Sequence, residues 1–393
     1  MSKFDVRARH GLEQPEPAPI RPEVRTLAYE EYRAERYFAP LDGIRAVAVL
    51  LVVLVHARGH GRWTWLAGWN GVTIFFVLSG FLITTLALRE EDLRGRLDRG
   101  AFFLRRCFRI VPLYLVALGL YGVLDLGLRA VSSPDRAHFQ AALPFYLSPL
   151  PEIPHFFGDG GPFELAWSLG MEEKFYLVWP LLAFGLVFLR GRFGRRLALT
   201  CALAILLQAP LFFAPAGRAL APYTSILVGC GLAFLLHEPW WFRRSAALGR
   251  GAVLVVSLLL LVSLQGMTAL EPERLQGLYA LAVGLVLGGV VVSRTALSQT
   301  LATRPLRFTG RISYGLYLTH PLALGAAALV VPARLGAAGD LLALIAGVAA
   351  AIAFAYGLHV TVERPMIALG RNAVRRTGAR KSVAQVEPAP VRT

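Results

Sequence analysis

The chain has 393 residues, of which 55% are hydrophobic and 17% are charged, and its mean hydropathy is +0.54. Soluble globular proteins rarely have so apolar a composition, and the repeated long apolar runs predict a polytopic membrane protein. The net charge of +16 does not indicate nucleic-acid binding, because the basic residues fall in short gaps between apolar segments, where membrane topology explains them. The three cysteines are scattered and odd in number, which excludes a disulfide framework and a cysteine metal site.

Three parts are predicted along the chain. Residues 1–38 are polar and proline-rich and lack the apolar core of a signal peptide, so they are expected to form a disordered cytoplasmic tail. Residues 39–368 hold the apolar segments and are expected to form the membrane domain. Residues 369–393 are again polar and are expected to form a second disordered cytoplasmic tail.

Ten apolar segments in the middle part predict an all-α bundle of about ten transmembrane helices, some of them shorter than the roughly 20 residues that a perpendicular helix needs. With the N-terminus in the cytoplasm, 33 of the 41 Lys and Arg residues lie on the cytoplasmic side, as the positive-inside rule requires. Both termini are therefore expected in the cytoplasm. The segments lie near 41–57, 70–88, 110–128, 173–189, 197–214, 222–237, 251–267, 278–292, 312–331 and 339–360.

One predicted outer segment, 129–172, is much longer than the other loops. It carries six aromatic residues between Phe139 and Phe163. Long segments in compact proteins are usually functional or disordered, and the aromatic content favours a segment that folds back onto the bundle.

The first apolar segment contains two ionisable residues, Arg45 and His56. They are eleven residues apart, close to three helical turns, which places both on one helix face about 16 Å apart. Ionisable groups inside a membrane helix tend to mark substrate or proton sites, and histidine is the natural base near neutral pH. Alternatively, Arg45 extends to the membrane interface and His56 caps the far end. His56 and His60 are four residues apart, but no carboxylate accompanies them, so no metal site is predicted.

Arginines cluster before the third apolar segment. Arg106 and Arg109 are three residues apart and would share a helix face, next to Arg105. The arginine guanidinium suits phosphate groups. The positive-inside rule explains the same cluster without a ligand.

The fourth apolar segment begins with a polar and aromatic run. Glu172 and Tyr176 are spaced i,i+4, and the second glutamate, Glu173, lies beside Glu172. An interfacial aromatic belt explains Trp167 and Tyr176. It does not explain two adjacent glutamates, whereas a carboxylate that orients an imidazole would.

The ninth apolar segment carries a polar stripe. Ser313, Tyr317 and His320 lie within about 60° of one another on a helical wheel, so they are expected to face the bundle interior. A structural hydrogen-bond network and a substrate contact explain the stripe equally well. Small residues on the second apolar segment predict close helix packing; they are Gly71, Ser79 and Gly80.

In this order, the motifs resemble those of the acyltransferase-3 family of bacterial integral membrane O-acyltransferases, which modify sugars of surface glycans and of some antibiotics. The resemblance covers about residues 38–368. Lys174 stands where glutamine is usual, and Gly170-Met171 replace the common Ser-Val. The matching motifs are Arg45 with His56, Arg106 with Arg109, Trp167 to Tyr176, Ile312 to His320, and Glu363-Arg-Pro365.

The resemblance implies transfer of an acyl group, with acetyl as the expected group, from acyl-CoA to a sugar hydroxyl of a surface glycan or glycosylated natural product. Acyl-CoA is then a co-substrate, and the setting is the bacterial inner membrane. His56 is the expected general base, with an acyl-histidine relay as the alternative, and Glu172 is expected to orient it or to contact the acceptor. The expected CoA contacts are Arg45, Arg105, Arg106 and Arg109. The expected acceptor contacts are Trp167, Ser168, Tyr176, Ser313, Tyr317 and His320.

Two other functions fit the same composition. One is a transporter or flippase for a polar or lipid-linked solute, which paired broken helices in an inverted repeat would favour; the sequence shows no such repeat. The other is a membrane anchor or receptor without catalysis, which leaves the motif series unexplained.

Overall fold

The computed structural model describes residues 25–58, 63–128, 132–158, 160–186, 189, 191–213 and 215–386. These residues form seventeen α-helices, seven short 3-10 or π segments and two strands of two residues each. The strands, β1 (Arg25–Thr26) and β2 (Ser293–Arg294), pair antiparallel. The helices are α1 (Tyr29–Ala34), α2 (Ala39–Val55), α3 (Asn70–Arg94), α4 (Arg99–Gly122), α5 (Pro134–Tyr146), α6 (Ile153–Phe157), α7 (Ala166–Gly185), α8 (Phe193–Gln208), α9 (Ala221–His237), α10 (Pro239–Ser245), α11 (Gly251–Met267), α12 (Pro272–Val292), α13 (Ala296–Leu301), α14 (Arg304–Arg311), α15 (Ser313–Val330), α16 (Gly336–Leu358) and α17 (Arg364–Val386).

A helix occupies each of the ten predicted segments. Within the part of the chain that the structure describes, five helical stretches can cross a membrane by length and composition, and a sixth can if the bent pair Pro239–Gly249 and Gly251–Met267 counts as one span. The protein is therefore an all-α, multi-pass membrane bundle, as predicted. The five stretches are Thr64–Arg94, Arg99–Leu128, Gly217–His237, Arg274–Val292 and Ala333–Arg376.

Four helices on predicted spans are neither among these stretches nor in the bent pair; they are α2, α7, α8 and α15. Helix α2 has only 17 residues, α7 carries Glu172, Glu173 and Lys174 within its 20 residues, and α15 carries the polar stripe of the ninth segment. Three of these four helices, α2, α7 and α15, carry predicted site residues, whereas α8 carries none.

Helix α3 is the centre of the bundle, and glycines let its neighbours approach it closely. A Cβ added at Gly80 would lie 1.9 Å from the carbonyl oxygen of Ile226 in α9, and one added at Gly229 would lie 2.0 Å from that of Val77. A Cβ at Gly71 would lie 2.2 Å from the carbonyl oxygen of Ala48 in α2. The predicted packing role of Gly71 and Gly80 is confirmed, since only a residue without a side chain fits there.

The N-terminal part differs from the predicted disordered tail over residues 25–38. Strand β1 and helix α1 lie there, and Tyr32 is 1% exposed and stacks on Phe242 with ring centroids 5.1 Å apart. A buried aromatic side chain stabilises this segment enough to offset its polar composition. Residues 1–24 lie outside the described residues.

The C-terminal part also differs from prediction. Helix α17 continues from Arg364 to Val386, although a disordered tail was expected from residue 369. The first turns of this helix pack on α4, where a Cβ added at Gly370 would lie 2.7 Å from the Cβ of Phe108. Residues 387–393 lie outside the described residues.

The long predicted outer segment folds back onto the bundle, as expected. It contains α5 and α6, and its aromatic side chains Phe139, Tyr146 and Phe163 are at most 1% exposed. Phe163 lies 4.9 Å from the ring of Tyr121 in α4. Burial of these rings holds the segment over the end of the bundle from which α7 begins.

Candidate active site

A cavity of about 720 Å³ lies among α2, α3, α4, α7, α14 and α15; we call it the main cavity. Its wall along α3 runs from Val72 to Arg89, a stretch of about 25 Å at 1.5 Å per residue. The main cavity is therefore elongated along the bundle, and it can hold an extended molecule.

The end of the main cavity near the start of α2 is strongly basic. Arg45 pairs with Asp42 at 2.9 Å, and the Tyr37 hydroxyl donates to the same carboxylate. Partial burial, and then the hydrogen bond to Asp42, raise the pKa of Tyr37, which keeps its hydroxyl protonated at neutral pH. Seven arginines against three carboxylates leave a surplus of positive charge that suits an anionic ligand. The arginines are Arg36, Arg45, Arg89, Arg106, Arg109, Arg307 and Arg311.

The three arginines predicted on α4 do not act as one group. Arg106 and Arg109 line the main cavity, as their shared helix face predicts. Arg105 is not among the lining residues, and it forms an ion pair with Glu90 at 3.0 Å. A step of one residue turns a helix by about 100°, which carries Arg105 away from the cavity and leaves its predicted contact with CoA without structural support.

Glu172 of α7 forms a hydrogen bond within its own helix and none with His56, the predicted base. Tyr176 donates a hydrogen bond to Glu172 at 2.9 Å, and its hydroxyl also bonds Ser79 of α3. The Arg106 guanidinium lies 5.0 Å from the centre of the Tyr176 ring. Among the hydrogen bonds of the described residues, none joins Glu172 to His56, so Glu172 does not orient that imidazole here.

The polar stripe of α15 connects the main cavity to a buried histidine. Ser313 and Tyr317 line the cavity, and the hydroxyls of Tyr317 and Ser168 are 2.8 Å apart. The Tyr317 ring centre lies 6.3 Å from that of His320, and His320 is fully buried. The stripe is therefore both a hydrogen-bond network and part of the cavity wall.

His56 and His320 form a pair of imidazoles, with ring centres 4.9 Å apart. The Nδ1 atom of His56 bonds the carbonyl of Val52 at 2.8 Å, and that of His320 bonds the carbonyl of Tyr317 at 2.8 Å. A carbonyl only accepts hydrogen bonds, so both Nδ1 atoms carry a proton, and the neutral form of each ring has its lone pair on Nε2. The Nε2 atom of His320 is buried and has no partner among the described residues. Two basic nitrogens are thus available for proton transfer.

Trp167 lies apart from the main cavity. Its ring stacks on that of His155 at 4.7 Å with an angle of 8° between the planes. Both residues line a smaller cavity of about 330 Å³, which we call the second cavity. The predicted acceptor contacts therefore divide between two cavities: Ser168, Tyr176, Ser313 and Tyr317 line the main one, and Trp167 lines the second.

Sequence reasoning missed several lining residues. Arg307 and Arg311 are four residues apart on α14, a spacing that also places two side chains on one helix face, but the positive-inside rule explains them equally well. Arg36 fell within the predicted tail. No cluster of three metal-binding side chains occurs among the described residues, and His60 lies outside them.

Comparison with known proteins identifies a family and several relatives. The acyltransferase-3 family model, described as "Acyltransferase domain", matches residues 38–360. The peptidoglycan O-acetyltransferase OatA of Listeria monocytogenes is 30% identical over 316 residues, which cover 73% of this chain and 49% of OatA. The "Putative peptidoglycan O-acetyltransferase YrhL" of Bacillus subtilis is 30% identical over 323 residues, which cover 74% of this chain and 49% of that protein.

The chain thus spans about half the length of these relatives. No solved structure matches it. The family match covers most of the chain and includes both imidazoles, the α4 arginines and the α7 glutamate. The chain therefore belongs to the acyltransferase-3 family.

Proposed function

We propose that the protein is an O-acetyltransferase of the bacterial cytoplasmic membrane, which moves an acetyl group from acetyl-CoA to a sugar hydroxyl of a glycan. The observation that carries the proposal is a basic, elongated cavity whose wall residue Tyr317 lies beside His320, which in turn contacts His56. The relatives named for peptidoglycan O-acetylation support the acetyl group and the glycan.

The donor half of the proposal rests on charge and shape. CoA carries its phosphates at one end and its thioester at the other, and guanidinium groups bind phosphate through charge-assisted hydrogen bonds. With the phosphates at the basic end of the main cavity, the thioester arm extends along α3 toward Tyr317 and the imidazole pair. This orientation places the basic end, and both termini, on the cytoplasmic side where CoA is found.

The chemical step of the proposal depends on the Nε2 atom of His56. In this proposal His56 Nε2 removes the proton of the acceptor hydroxyl while the hydroxyl oxygen attacks the thioester carbonyl. The carbon–sulfur bond breaks, CoA leaves as a thiolate and takes up one proton, and the new ester forms. In the acyl-histidine alternative, the His56 Nε2 attacks the carbonyl first and the sugar hydroxyl then receives the acyl group.

The test is the transfer of labelled acetyl from acetyl-CoA to a glycan by purified protein in lipid. His56→Ala should lower kcat by roughly 10²–10⁴-fold with little change in either KM, because the proton moves only in the transition state. His138→Ala is the matched control, since His138 is exposed on α5 and should turn over normally. Normal turnover by a folded His56→Ala protein would contradict the mechanism, and solute flux without CoA would favour a transporter.

A further inference from the structure

The proposed function places acetyl-CoA in the main cavity and leaves the second cavity without a ligand. It is formed where several elements begin, at the N-terminal ends of α3, α7 and α9, together with α6. Its volume of about 330 Å³ falls at the small end of the range of ligand pockets, roughly 300–1,000 Å³. A single ring-sized group fits such a volume, whereas a CoA molecule does not.

One wall of the second cavity is aromatic and held in place. Trp167 is stacked on His155, and the Phe156 ring meets Trp167 edge-on with centres 5.4 Å apart. His155 bonds the Glu164 carboxylate at 2.5 Å, which fixes the stack. Rigid aromatic rings offer a preorganised apolar surface at low entropic cost.

The rest of the lining supplies polar groups, and one of them has no partner. The indole Nε1 of Trp69 is buried without a hydrogen-bond partner among the described residues, and Trp69 lines the second cavity. An unmet buried donor is costly, so an acceptor oxygen from a ligand would stabilise this arrangement. Asn70, Gln276 and the exposed Arg218 line the same cavity. The Asn70 amide already donates to Thr268 at 2.5 Å, so Trp69 supplies the unmet donor. Aromatic faces combined with this donor and a polar lining suit a hydroxylated ring, whereas an acyl chain would leave the Trp69 N–H unmet.

The second cavity adjoins the reaction centre. Val72 lines both cavities, so they meet at the first turn of α3. The start of α3 also lies close to α2. A Cβ added at Gly71 of α3 would lie 2.8 Å from the side chain of Val52 of α2. Val52 is the residue whose carbonyl holds the His56 imidazole.

We infer that the second cavity binds a pyranose ring of the acceptor, with the aromatic wall against the ring face and Trp69 Nε1 donating to a ring or hydroxyl oxygen. This inference rests on the proposed function for the identity of the acceptor. The ring then enters from the side opposite the basic end, and its hydroxyl meets the thioester near His56.

The test is Trp69→Phe, which keeps an aromatic ring but removes the indole N–H together with the five-membered ring; the same substitution at the control position loses the same atoms. Trp63→Phe is the matched control, because the Trp63 Nε1 is also buried without a partner among the described residues and Trp63 lines neither cavity. The probe is the disaccharide of N-acetylglucosamine and N-acetylmuramic acid, and its binding to full-length protein in lipid is measured by saturation-transfer NMR and calorimetry. Loss of one hydrogen bond should weaken binding about fivefold to tenfold in Trp69→Phe and leave Trp63→Phe unchanged.

The binding assay needs no acetyl donor, so it separates this inference from the proposed function. Disaccharide binding that depends on Trp69, in a protein that transfers no acetyl group, supports the site and overturns the proposed function. Normal transfer with equal disaccharide affinity in wild type, Trp69→Phe and Trp63→Phe overturns the site and leaves the proposed function standing.

Discussion

At the scale of single residues, Arg106 is the basic residue best placed to meet a phosphate. Its guanidinium lies over the Tyr176 ring, and it has no carboxylate within 4 Å among the described residues. Arg45, in contrast, is already paired with Asp42. The hydroxyl of Tyr176 is held by Glu172 and Ser79, so the ring beneath Arg106 is fixed. A fixed and unpaired guanidinium can bind phosphate without first breaking an ion pair.

We predict that Arg106→Ala raises the KM for acetyl-CoA and leaves the KM for the acceptor near normal. Loss of a charge-assisted hydrogen bond costs about 1.5–3 kcal/mol, which corresponds to roughly 10-fold to 150-fold in KM. Steady-state kinetics with each substrate varied separately measure this. Arg105→Ala serves as the control, because Arg105 pairs with Glu90 outside the cavity. An equal rise in donor KM in both variants would show a general effect of positive charge instead.

The same residues show which contacts a sequence can predict. Helical periodicity correctly pairs Glu172 with Tyr176, because residues four apart on a helix are neighbours whatever surrounds them. The contact of Ser168 with Tyr317 joins residues 149 positions apart, and the His56–His320 pair joins two different helices. Such contacts depend on how helices cross, which no local pattern encodes. The sequence therefore identified both histidines but not their pairing.

At the scale of elements, the crossing of α3 and α9 depends on reciprocal glycines. Gly80 faces the backbone of α9, and Gly229 faces the backbone of α3. The chain has small residues at both places, so the two backbones come into direct contact, and dispersion and weak Cα–H···O contacts replace the hydrophobic effect that is absent between helices in lipid. The small residues of both helices are visible in the sequence, whereas the contact between the two helices is not.

We predict that Gly229→Ala destabilises the protein by about 1–3 kcal/mol, the usual cost of overpacking. The added methyl group would lie 2.0 Å from the Val77 carbonyl oxygen, and backbone atoms there cannot move aside without separating the helices. Thermal unfolding in detergent measures the loss. Gly119→Ala in α4 is the control, since a Cβ there has nothing within 4 Å and alanine favours a helix. Equal unfolding temperatures for the two variants would contradict the role of this crossing.

At the scale of the whole molecule, the two cavities lie toward opposite ends of the bundle and differ in their lining. The main cavity is basic near the start of α2, and the second cavity is aromatic at the start of α3, the opposite end of that helix pair. Seven arginines line the main cavity, which concentrates positive charge at one end of the bundle. The orientation that puts this end in the cytoplasm agrees with the distribution of Lys and Arg along the sequence.

We predict that the α3–α4 turn faces the cytoplasm and that the segment after α5 faces outward. Leu93 and Leu147 are matched probes, because they are 85% and 65% exposed respectively and neither side chain forms a polar contact. Each is replaced by cysteine in a background where the exposed Cys107 and Cys201 are serine. A membrane-impermeant maleimide added to intact cells should label Leu147→Cys and not Leu93→Cys, and both should react once the membrane is opened with detergent. Labelling of Leu93→Cys in intact cells would reverse the topology and place the basic end of the main cavity on the side where CoA is absent, which would remove the donor path together with the orientation.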